Sequence, residues 1–167
     1  MNSNIDFAEQ VQIVPAIVPV DLSSGANAGD WISMKNYERV TVVFFKGAGT
    51  AGDDPTVTLN EATAVDGTGS QTLAAIDKVY VKQGTLTSVG TFSVTTQAAA
   101  ATYTDDTSAE IQALWVFDVM ADDLSDGFDC LQISVADVGT NAQVGCALYL
   151  LWPPRYGEQA LLSAIAD

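Results

Sequence analysis

The chain has 167 residues, 48% of them hydrophobic and 16% charged, a balance that belongs to a folded protein rather than a disordered one. Six Lys+Arg stand against 21 Asp+Glu, a formal net charge of −15 that works against binding phosphate backbones or anionic membranes. Histidine is absent, which removes the commonest general base and transition-metal ligand.

One domain is the expectation at this length, with a core that needs no disulfide staple. Residues 1–6 show neither a basic n-region nor an apolar h-region, so no signal peptide is read there and cytoplasmic synthesis is expected. Residues 1–28 read as an extended N-terminal arm. The stretch 10–20 is apolar and β-prone, but Pro15 and Pro19 remove ladder donors and demote it to an edge strand or an arm laid on a sister subunit. Ile13, Val14, Ile17 and Val18 are its expected partner contacts, and removing residues 1–20 is expected to leave the remaining domain folded.

The domain itself is expected over 29–152. Residues 39–46 (Arg-Val-Thr-Val-Val-Phe-Phe-Lys) are β-branched or aromatic on both parities, which predicts a central strand covered on both faces. Residues 47–55 hold three glycines, two aspartates and a proline. They lack the Lys and Ser/Thr that close a Walker loop, and nucleotide binding is not expected. Alternation predicts a half-exposed strand over 56–62, and two more strands fall at 76–84 and 89–96. Ala98 to Ala101 reads as a short helical turn or a packing surface.

In 110–119 the odd positions Ile111, Ala113, Trp115, Phe117 and Val119 share a face, and aromatic and β-branched content favours a strand. Leu131, Ile133 and Val135 alternate with Gln132 and Ser134, a turn follows at 139–141, and Val144, Cys146, Leu148 and Leu150 line one side of a final strand. If those two strands form a hairpin, Cys130 and Cys146 approach diagonally; two reduced core thiols are the preferred reading. The apolar run 146–152 is too short to cross a bilayer. Trp152 is a further expected anchor for the tail, 153–167, or for a neighbour. About eight strands separated by Gly/Asp turns predict an all-β fold, a β-sandwich or jelly-roll-like single domain.

No catalytic, cofactor-binding or metal-binding residue is assigned. The pairs Asp53-Asp54, Asp105-Asp106 and Asp122-Asp123 fall in loops, where aspartates favour local backbone bonding. The run 122–129 offers oxygens for calcium but lacks the spacing and closing Glu of an EF-hand. There is no G-x-S-x-G elbow, and an enzyme is not expected.

Four segments resemble small virion-associated proteins encoded among the head genes of tailed phages and prophages. They are Gly29-Asp30-Trp31-Ile32-Ser33-Met34-Lys35-Asn36-Tyr37, residues 49–59, residues 79–86, and Gly127-Phe128-Asp129-Cys130 continuing to 136–143. The similarity is one of phrases over about 29–152 and carries no functional motif. It implies a capsid cement, or decoration, protein on the capsid exterior, made in the bacterial host, bound to the major capsid protein and commonly trimeric. Other classes are a head–tail connector or tail component, recognisable by a few copies per particle, and a carbohydrate- or host-binding β-module, recognisable by glycan affinity.

Overall fold

A computed structural model describes residues 6–88, 90–156 and 164. The fold is nearly all β, two antiparallel sheets packed face to face. A four-residue helix α1 (Phe7–Gln10) leads into β1 (Gln12–Asp21), β2 (Asn27–Ala28), β3 (Ile32–Ser33), β4 (Tyr37–Lys46) and β5 (Thr56–Ala62). Then come β6 (Gln71–Thr72), β7 (Ile76–Gly84), β8 (Ser93–Ala100), β9 (Thr102–Thr104), β10 (Gln112–Met120), β11 (Cys130–Val135) and β12 (Val144–Pro154). One sheet, here sheet A, has the order β1-β12-β4-β10-β7-β8. Sheet B is built on β11 and β5: β2 and β3 follow each other along the free side of β11, and β6 and β9 share the free side of β5.

The core lies between the sheets. Sheet A turns in Val40, Val42 and Phe44 of β4, Ala113, Trp115, Phe117 and Val119 of β10, and Ala147, Tyr149 and Leu151 of β12. Sheet B answers with Val57, Leu59, Leu131, Ile133 and Val135. The period-2 alternation of β5, β10 and β11 therefore points as the sequence predicts, because each strand has one face on the core. Tyr103 stands edge-on to Trp115, ring centroids 4.8 Å apart, and Phe44 lies 5.4 Å from the same indole.

Of the two readings of 10–20, the edge strand holds and the separate arm does not: β1 pairs antiparallel with β12 through Ile13↔Leu150, Val14↔Tyr149 and Ile17↔Ala147. Its prolines sit where edge strands tolerate them, and register shifts flank Ile17. The alanine run does not turn into a helix; Ala98, Ala99 and Ala100 end β8. Cys130 and Cys146 do not flank a hairpin, because β11 belongs to sheet B and β12 to sheet A; no disulfide joins them.

Candidate functional site

β4 and β12 are apolar on both parities, and only one parity of each is needed for the core. The other parity makes the outer face of sheet A. Cross-strand pairing lines these side chains into rows. One row runs across all six strands: Pro15, Leu148, Val43, Val116, Tyr80 and Val94. A second carries Cys146, Phe45, Leu114 and Lys82, and a third Ile13, Leu150, Thr41 and Asp118. Trp152 and Arg39 close the far end beside Met120.

The face is open among the described residues. Phe45 is 41% exposed, Leu148 38% and Val94 54%. Six strands at about 4.8 Å spacing make it roughly 24 Å wide, and Val144 to Trp152 gives it a length of about 27 Å. That footprint is of the order of one partner's share of a standard interface, about 800 Å². Its polar groups are few and held. The Thr41 hydroxyl donates to Asp118 Oδ1 at 2.6 Å, and the Trp152 indole N–H donates to Thr41 Oγ1 at 3.2 Å. The Arg39 guanidinium stacks over the Trp152 ring at 5.1 Å, and the Lys82 ammonium sits 4.5 Å from the Phe92 ring centre.

Charge separates this face from the rest of the molecule. Arg39, Lys78 and Lys82 lie on it, half of the six basic residues of a chain with 21 acidic ones. The outer face of sheet B has the opposite character. Thr56 and Thr104 share a 2.7 Å hydrogen bond, and the Asn60 amide donates to Ser134 Oγ and Gln132 Oε1. That surface satisfies itself and suits water.

Of the expected contact residues, Ile13 (45% exposed) joins the face beside Leu150, Val18 is 68% exposed, and Trp152 lies half-buried at its end. Val14 and Ile17 do not belong to it. Pairing turns them inward, where Ile17 is 6% exposed in the core and Val14 packs against that core. Sequence reasoning missed Phe45, Leu148, Val43 and Val116 as site residues. Their signal was present in the two-sided apolarity of residues 39–46, read as burial within one chain.

Of the loop aspartates Asp105 bonds locally, as expected, whereas Asp53 and Asp54 tie loops distant in sequence. Asp54 Oδ1 accepts from the backbone N–H groups of Ser108 and Ala109, Asp105 Oδ1 from Thr107, and Asp53 Oδ2 from the Asn141 amide. Burial opposes ionisation of Asp105, but the Thr107 bonds, Gln83 and Lys46 together hold its carboxyl below the usual range. An open cleft of about 650 Å³ lies against the 121–129 loop, with Lys35 paired to Asp129 at 3.3 Å beside it. Among the described residues no three His, Cys, Asp or Glu converge on a metal position. No described helix is long and apolar enough to cross a membrane.

No family model matches the chain, and no curated protein is similar to it.

Proposed function

We propose that this protein is a phage virion structural protein, a capsid cement or decoration protein that lays the outer face of sheet A on the major capsid protein. The observation that carries this reading is the apolar row Pro15–Leu148–Val43–Val116–Tyr80–Val94, unbroken across six strands. Exposed apolar patches of this extent mark interaction surfaces. A net charge of −15 with three of the six basic residues at the contact keeps the remaining surface acidic, which suits a capsid exterior and repels loose nucleic acid. The resemblance over 29–152 supplies the shell as partner.

Cement acts by mass action. A protein that binds only the expanded shell stabilises that state by its differential affinity. Several copies joined as a homo-oligomer would engage neighbouring capsomers together, and avidity would slow their release. The test uses empty expanded heads of the phage or prophage encoding the chain. Wild-type protein is expected to pellet with the heads in hundreds of copies, whereas L148D and V116E stay in solution with unchanged unfolding transitions. Binding that survives both substitutions would sink the docking face, and a few copies per head would favour a connector or tail component.

A further inference from the structure

The two edges of sheet A are built differently. β1 is closed to further pairing: Pro15 and Pro19 lack N–H donors, and register shifts on either side of Ile17 break the row of backbone groups. β8 has one register shift, where Thr96–Ala100 spans only Ile76–Lys78 of β7, but no proline. Its eight residues, Ser93–Ala100, contain no proline and no charge. Ser93, Val94, Thr95, Thr96, Ala98 and Ala99 are all exposed, and β8 pairs only with β7, leaving the outer backbone edge of its regular stretch, Ser93–Thr96, open. An uncharged, exposed edge is what proteins ordinarily blunt, and this chain sets two prolines in the other edge and none in this one.

We propose that β8 pairs antiparallel with β8 of a second copy of this chain, joining two six-stranded A sheets across a twofold axis. The choice of occupant follows from charge and from the available edges. Two copies at −15 each repel, and they meet most cheaply where neither carries a charge. Residues 93–100 supply such a segment, and self-pairing sets only Ser, Val, Thr, Gln and Ala against one another. Head-to-tail pairing of β8 on β1 is blocked by the prolines. Sheet B offers only strands of two or three residues along its edges, too short to match eight. A twofold contact uses the same patch on both subunits and closes on itself. It differs from the threefold assembly that the resemblance implies, and it does not depend on shell docking. Pairing at β8 also brings the Val94 ends of the two apolar rows to the junction.

Light scattering of the full chain over a range of concentrations tests this. The expected mass is twice the 17.5 kDa of the chain, falling to one chain for T95K/A98K, which places two cations per copy on the edge without touching the apolar row. V18K, on the closed β1 edge, should stay dimeric. A monomeric wild type, or an oligomer that survives T95K/A98K, overturns the pairing. Should T95K/A98K fail to fold by circular dichroism, amide exchange on the wild type decides. Protection within 93–100 that falls on dilution supports β8 pairing, and concentration-independent exchange refutes it.

Discussion

Tyr149 ties the two sheets together through one oxygen. The short strands β2 and β3 leave a gap along β11, and at that gap the Ile133 N–H has no strand to meet. The Tyr149 hydroxyl, rising from β12 in the other sheet, accepts from it at 2.7 Å and donates to the Asp30 carbonyl at 3.1 Å. Gly29 makes the approach possible, since a Cβ there would lie 3.0 Å from the carbonyl oxygens of both Ala16 and Ile133. Tyr149→Phe leaves the buried Ile133 N–H without its acceptor and should cost about 1–3 kcal/mol by denaturant unfolding. Burial also raises the pKa of Tyr149, Tyr103 and Tyr37 above the ordinary 10.0. The unfolded phenols then ionise first, so their stabilisation is complete below pH 10 and drains away as pH climbs above it. An alkaline stability series should show that fall, and Y149F should make it shallower; identical slopes would dissociate Tyr149 from it.

Lys46 presents the opposite problem, a fully buried cation. Its ammonium donates to the carbonyls of Ser108 at 2.6 Å, Ile111 at 2.9 Å and Ala109 at 3.2 Å, plugging one end of the sandwich. At the other end buried Glu61 accepts from Ser125 N–H and hydroxyl and from the Gln71 amide. Burial lowers the Lys46 pKa against the pull of Asp54 and Asp105, so its charge costs stability at neutral pH and that cost is relieved as pH rises toward 10.5. Lys46→Ala removes a donor from all three carbonyls; Ser108 keeps the Ile111 N–H and Ala109 the Gly49 N–H, and a loss of about 1–3 kcal/mol is expected in thermal or urea melts. The sequence shows Lys46 only as the close of an apolar run. Its cage comes from a loop more than sixty residues away, which no local pattern reveals.

At the scale of elements, β1 decides how a truncation reads. Ala16 and Ile17 are core residues, and the Ala16 carbonyl accepts from Asp30 N–H. Deleting residues 1–20 therefore removes a strand that β12 depends on, and the truncated chain is expected to lose its cooperative melt rather than keep a folded domain. A sharp transition near the wild-type temperature would show β1 to be dispensable. Individual strands were legible because alternation is local: β5, β10 and β11 turn the predicted side chains inward. Partners were not. The runs on either side of 139–141 do not pair as a hairpin, because β11 and β12 part to different sheets and β12 inserts between β1 and β4. The outer face was half legible: the apolar excess of residues 39–46 and 144–152 is plain in the sequence, but its openness follows from which strands neighbour them.

For the molecule as a whole, self-repulsion at −15 opposes the compact state. Added monovalent salt screens it, with a Debye length of about 10 Å at 0.1 M and 3 Å at 1 M. The melting temperature should therefore rise between low and moderate salt, and the self-association should strengthen over the same range. A melting temperature that falls with salt would mean that ion pairs such as Lys35–Asp129 outweigh the repulsion.

The place of β12 also bears on when the protein can fold. Sheet A cannot close between β1 and β4 until residues 144–154 have been synthesised, because β12 fills that slot and is made after every other strand described. Throughout translation β1 waits with its core residues uncovered, and β4 has only β10 to lean on. Pairings this distant in sequence are slow to form. Until residues 144–154 are in place the most apolar strands stay unsatisfied, and a net charge of −15 opposes contact between chains in that state.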